Sequence, residues 1–157
     1  NVFVALKGIK KQIPKQIDKI SGNYSKMAKR TQRKKLVDKL DKVFSIYIRR
    51  RYADNDVAEC FTCGKQDHWK KLQNGHFQSR KHYSTRWHEQ NCQVQCAGCN
   101  VFRYGEQYKF SKNLDNTYYS GLAEELHIEA NKTVKLDNTD LEMLIEKYEL
   151  LIKELDT

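Results

Sequence analysis

Four cysteines in two C-x2-C pairs, "CFTC" at residues 60–63 and "CAGC" at 96–99, constrain this chain more than any other feature. Each pair turns as a tight knuckle that offers two thiolates on one side, and the 32 residues between them are enough for a hairpin to bring the knuckles together. Four soft thiolates select Zn²⁺ over Mg²⁺ or Ca²⁺. Cys60, Cys63, Cys96 and Cys99 are therefore expected to hold a structural zinc. A four-cysteine site leaves no open position, so this zinc is not expected to be catalytic. The fifth cysteine, Cys92, is separated from Cys96 by three residues and reads as a small packing residue. Paired cysteines of this spacing point to metal in a reducing compartment before disulfides.

The rest of the composition bounds the partner. The 157 residues make about one domain with a modest core, 39% hydrophobic, and carry a net charge of +9. The excess is uneven: residues 1–52 hold 16 Lys and Arg against 3 acidic residues, whereas residues 53–157 hold 13 against 17. A basic arm of this kind favours a polyanion. No apolar run approaches the roughly 20 residues of a membrane span. The opening "NVFVALKGIKK" has neither the length nor the cleavage site of a signal peptide, so a soluble, cytoplasmic chain with no membrane partner is expected.

Residues 1–30, Lys-rich and broken by Pro14 and Gly22, read as a basic tail or short helices. From Thr31 the apolar residues Leu36, Leu40, Val43, Phe44 and Tyr47 recur at helical spacing, giving a basic helix within 31–56. Its end carries Arg49, Arg50 and Arg51, which can follow a phosphate backbone or simply face solvent. Beyond Asn100 a helix is expected to about Lys112, then a turn at "NLDN" and a helix near 117–130. In the last helix Thr139 and Glu142 fit a capping box. Leu141, Leu144, Ile145, Tyr148, Leu151, Ile152 and Leu155 make one apolar stripe there, for the core or for a dimer seam.

If zinc joins the knuckles, the segment between them folds back and brings Gln73–Phe77 near the residues after Cys99. His76 and Asn100 then become neighbours. The Asn100 carboxamide offers a hard oxygen of the kind Mg²⁺ prefers, and Asn91 is placed to bond across the loop and fix the strand carrying His76. Arg80, Lys81, Arg86 and Arg103 surround this place and are candidate phosphate contacts. His68 and Trp69 are expected to pack over the zinc hairpin rather than touch substrate, and Tyr104 and Tyr108, at helical spacing after Asn100, to face the core rather than serve as base-stacking platforms.

The order "GH…N…CxxCN" between paired cysteines resembles the HNH, or ββα-metal, nucleases, in an HNN variant because the third position is Asn. The fragments "RKKLVDKLDKVFSIYIRRRYAD", "CFTCGKQDHWKKLQNGHFQSR" and "TRWHEQNCQVQCAGCN" are similar to the phage recombination proteins called NinG or Rap, over roughly residues 31–150. This resemblance implies an α+β fold: a zinc-stapled ββα-metal core at 57–113, with the basic helix before it and a helical region at 114–157. It implies a phage protein acting in the bacterial cytoplasm as a metal-dependent endonuclease on branched recombination intermediates such as D-loops and Holliday junctions. By the same resemblance His76 is the general base, Asn91 the residue that orients it, and Asn100 a ligand of catalytic Mg²⁺ or Mn²⁺. A histidine near its free pKa can take a proton from water at neutral pH.

Many ββα-metal enzymes place an Asp directly before the His as a second metal ligand, and here that residue is Gly75. Glu106, His82 and His88 are the remaining candidates for extra ligands. A homodimer is expected, since resolving a four-way junction needs two cuts, and recombination proteins are expected partners. The rival from another class is a non-catalytic zinc-ribbon protein that binds DNA or a recombinase. A sequence-specific homing or restriction nuclease ranks lower, because no separate recognition module is evident.

Overall fold

A computed structural model describes residues 31–156. The chain divides into two compact units at Asp38/Lys39. Of the first unit only residues 31–38 are described, all helical; the expected basic tail at 1–30 lies outside the described residues.

Residues 31–50 are α-helical (α1). Leu40, Phe44 and Ile48, four apart on one face, are at most 1% exposed, which is the burial that apolar periodicity demands. The helix ends inside the expected 31–56 segment, because the chain turns at residues 51–52 and Asp54 bridges to Val57. Asn55 and Asp56 fill that two-residue turn with φ of 47° and 63°, the left-handed pair that a tight hairpin of this type requires.

Two small antiparallel sheets follow. Strands β1 (Val57–Glu59) and β2 (Gln66–His68) pair with Ala58 opposite Asp67 and carry the first knuckle between them. A 3-10 turn, Trp69–Lys71, leads to β3 (Gln73–His76), which pairs with β4 (Cys92–Gln95) so that His76 faces Cys92 and Gly75 faces Gln93. Ala58, Leu72 and Val94 pack with Cys60, Cys96 and Cys99 as one core, and Trp69 covers it, as expected for a lid over the zinc hairpin.

A π-helical turn, Gly98–Phe102, carries the second knuckle onward. The expected helix from Asn100 to Lys112 does not run through. Tyr104, Gly105 and Glu106 all have positive φ, and only then does α2 (Gln107–Thr117) begin. The predicted turn at "NLDN" is inside α2, because Phe110 and Leu114 are wholly buried one turn apart and pull the segment onto α3 (Leu122–Ala130) through Leu122 and Leu126.

In α4 (Asn138–Glu154) Leu141, Ile145 and Tyr148 face the core, and Tyr148 meets Phe44 of α1 edge-on at 4.8 Å. Its capping box is Asp137 with Asp140, not Thr139 with Glu142. The Asp137 carboxylate accepts from Asp140 N at 2.9 Å, and Asp140 accepts from Asp137 N at 2.8 Å. No described helix is long and apolar enough to cross a membrane.

Candidate metal centre and adjoining clefts

The four predicted zinc ligands converge. The sulfurs of Cys60, Cys63, Cys96 and Cys99 all lie within 4.8 Å of one another, and Cys63 Sγ is 3.8 Å from Cys96 Sγ. Sulfurs about 2.3 Å from one tetrahedral ion stand about 3.8 Å apart, so the donor set suits zinc in both chemistry and spacing. Backbone bonds shape each knuckle: Gly64 N donates to Cys60 O at 2.8 Å, and Asn100 N to Cys96 O at 2.9 Å. Phe61 N donates to Val94 O at 2.8 Å and ties the first knuckle to β4. Arg103 Nη2 donates to Cys99 Sγ at 2.9 Å, where a cation offsets the excess negative charge of four thiolates. Cys92 stands apart as a wholly buried residue, and burial pushes its thiol up.

Zinc-knuckle geometry also sets Asn100. Its Nδ2 donates to Gln73 Oε1 at 2.7 Å, which leaves the carboxamide oxygen as a free acceptor. Two adjoining clefts, ≈ 390 and ≈ 520 Å³, share a wall made of Asn74, His76, Arg80 and Asn100. The expected juxtaposition of His76 with Asn100 is thus present, although Asn100 sits in the π-helical turn and not in the first turn of a long helix.

His76 is mostly buried, and desolvation pushes it down to about 4, against the opposing pull of the Arg86 carbonyl, so the ring is not near its free pKa, contrary to expectation. Nε2 of His76 lies 3.1 Å from that carbonyl. A carbonyl only accepts, so the neutral ring carries its proton on Nε2 and presents Nδ1 as the basic nitrogen.

Asn91, wholly buried, spends its hydrogen bonds on the loop and not on the His76 ring. Its Oδ1 accepts from Gln78 N at 2.7 Å, and its Nδ2 donates to Gln78 O and Thr85 O, both at 3.0 Å. It clamps the loop whose Arg86 carbonyl meets His76.

The arginines divide sharply. Arg80 and Lys81 are exposed, Arg80 on both clefts and Lys81 on the second. Arg49 lines the first cleft, with its guanidinium near the carbonyls of Trp69 and Leu72 and 5.2 Å from the Trp69 ring. The others are engaged with partners of the fold, Arg51 and Arg86 largely buried and Arg103 still half exposed. Arg51, only 5% exposed, donates at 3.0 Å to Glu89 O, Cys92 O and Gln93 Oε1. Arg86 grips both Asp41 oxygens, at 3.0 and 2.5 Å. Arg50 pairs with Asp156, and Arg103 with Glu106 as well as Cys99. That pairing also occupies Glu106, which lines neither cleft. His88 likewise lines neither, whereas His82 lies on the second.

Gly75 has a steric reason. A Cβ there would stand 2.0 Å from Oε1 of the buried Gln95, so no Asp fits at that position without moving Gln95.

Asn74 is the residue the sequence reading missed. It lies two positions before His76 in β3, on the same face of the strand, and its Oδ1 is buried with no hydrogen-bond partner. A buried carbonyl oxygen without a donor, on a wall it shares with Asn100, fits a cation.

The sequence model of the family described as Bacteriophage Lambda NinG protein matches residues 6–157, and the chain belongs to that family. No curated protein matches it, and neither does any solved structure.

Proposed function

We propose that this NinG-family chain is a metal-dependent endonuclease that hydrolyses phosphodiesters in branched DNA, built on a zinc-stapled ββα-metal core of the HNH type. In this reading β3 and β4 are the two strands of that core, and the turn bearing Asn100 leads into its helical part. One observation carries the proposal. His76 is held neutral by burial, with Nε2 bonded to a backbone carbonyl, on the wall where Asn100 and exposed Arg80 line the same clefts.

The chemistry assigned to the chain's residues is specific. His76 Nδ1 takes a proton from water, the water oxygen bonds to phosphorus, and one ester P–O bond breaks with its electrons passing to the leaving oxygen. Asn91 and Arg86 O keep the ring in the required tautomer. Asn100 and Asn74 offer the oxygens that would hold Mg²⁺ or Mn²⁺, and when bound such an ion stabilises charge on the phosphate and leaving oxygen. Arg80, Lys81 and Arg49 bind flanking phosphates. A homodimer would supply the two sites that a four-way junction needs, with recombination proteins as further partners.

The non-catalytic rival, a zinc protein that only binds DNA or a recombinase, draws on Gly75, since Gln95 excludes the usual acidic ligand. Incubation with Mg²⁺ or Mn²⁺ and matched linear and four-way DNAs separates the two. Cleavage confined to or strongly favouring the branched substrate supports the nuclease; tight binding without cleavage under both metals supports the rival.

A further inference from the structure

Four large apolar side chains within residues 101–108 face solvent, and one of them, Tyr104, lines the second cleft. Val101, Phe102, Tyr104 and Tyr108 are 52, 78, 90 and 72% exposed. Single exposed apolar residues are ordinary, but a run of them marks a binding surface.

The backbone holds this surface out. Tyr104, Gly105 and Glu106 adopt φ of 51°, 84° and 49°, a region that a tyrosine rarely occupies. Gly105 is pinned from both sides, its N–H donating to Cys99 O and its carbonyl accepting from Gln95 Nε2, each at 2.9 Å. The second zinc knuckle and β4 therefore fix the turn that points Tyr104 away from the core.

Charge selects the occupant. Lys112 Nζ lies 4.8 Å from the centre of the Tyr108 ring, and the cleft that Tyr104 lines also carries Arg80 and Lys81 and no carboxylate. Aromatic rings flanked by cations suit nucleotides, whose bases stack while their phosphates pair. Within an intact duplex the base faces are covered by their neighbours. They become available where stacking is interrupted, as at a branch point.

We propose that Phe102 and Tyr104 form a stacking platform for unpaired or unstacked bases next to the phosphate that is cut. This assignment rests on the nuclease reading and adds a physical basis for recognising branches. Each stacked ring should strengthen binding to branched DNA about tenfold, within the usual worth of a base–aromatic contact, and leave binding to linear duplex unchanged.

The test uses the full, zinc-loaded chain with Ca²⁺ in place of Mg²⁺, so that binding is followed without cleavage. The probes are a four-way junction carrying 2-aminopurine at the branch and a linear duplex carrying it internally. Wild type should bind the junction preferentially and brighten its 2-aminopurine. Phe102→Ala/Tyr104→Ala should lose both the brightening and about a hundredfold of the junction preference, about tenfold for each ring, with zinc content and linear-duplex affinity unchanged. Phe102→Trp/Tyr104→Phe should restore them. Unchanged brightening and preference in the alanine pair would overturn the platform while leaving the nuclease reading intact. So would equal loss on both DNAs, or a shift in sedimentation showing that the face joins two protein copies. Absence of any junction preference in wild type would instead count against the nuclease reading itself.

Discussion

Arg86 serves His76 with one end and Asp41 with the other: its carbonyl lies 3.1 Å from His76 Nε2, while its guanidinium holds both oxygens of Asp41 on α1. Trp87 Nε1 also donates to Asp41, at 2.9 Å. A helical carboxylate thus sets the loop that sets the proposed base.

Asp41→Ala removes the acceptor shared by the Arg86 and Trp87 side chains in a partly buried place. Stability should fall by roughly 2–4 kcal/mol, and cleavage should fall further than unfolding explains because the Arg86 carbonyl is no longer held. Urea melts alongside cleavage rates on folded protein measure both. Asp41→Asn, which keeps one acceptor, should lie between. A variant that is destabilised but fully active would show that the carbonyl does not orient His76.

Zinc should be bound at one ion per chain and released slowly to EDTA. A structural zinc contributes on the order of 10 kcal/mol, comparable to the whole stability of a domain, and the cysteines form part of the core around Val94 and Leu72. Cys63→Ser and Cys96→Ser should therefore lose metal and fold together, as read by elemental analysis and circular dichroism. A metal-free, folded protein would refute the assignment.

Acid should act on His76 in a defined direction. Its folded pKa is depressed to about 4, whereas the unfolded chain protonates near 6.5. The unfolded state alone binds that proton between these values, so the contribution to stability is complete above about 6.5 and is lost as pH falls toward about 4. Wild type should lose more stability than His76→Gln between pH 7 and pH 5. The acid limb of the cleavage profile should lie below pH 6.5. Equal losses in both proteins would mean that the ring is not desolvated.

Asn74→Asp places a carboxylate where an unpaired carbonyl oxygen now lies. If that oxygen faces the catalytic ion, Mn²⁺ binding to the zinc-loaded protein should tighten by about tenfold or more and should weaken in Asn74→Leu. Mn²⁺ electron paramagnetic resonance reads this without any turnover. Identical affinity in all three proteins would remove Asn74 from the ligand set.

What was legible beforehand was local. A tetrahedral metal demands paired sulfurs at short spacing, so the knuckles could be read directly, and through them the meeting of His76 with Asn100. Arg51 and Arg86 looked like phosphate contacts because charge pattern does not reveal acceptors some 40 residues away, the Cys92 carbonyl and Asp41. At the start of α4 the T-x-x-E pattern pointed to Thr139 with Glu142, and only the hydrogen bonds revealed Asp137 with Asp140. Tyr104 and Tyr108 fitted a helical core spacing that the left-handed residues at 104–106 destroy, which turns both rings outward. Asn74 was silent since the four residues of β3 are too few to show a period of two.

The most direct test of the nuclease reading compares wild type with His76→Ala on a four-way junction in Mg²⁺, with zinc content and junction affinity measured on the same samples. Wild type should cut. His76→Ala should keep its zinc, its fold and its affinity while cleaving about 10²–10⁴ times more slowly, the usual worth of a positioned general base. A fully active His76→Ala, or a wild type that binds the junction and never cuts it with Mg²⁺ or Mn²⁺, would contradict it.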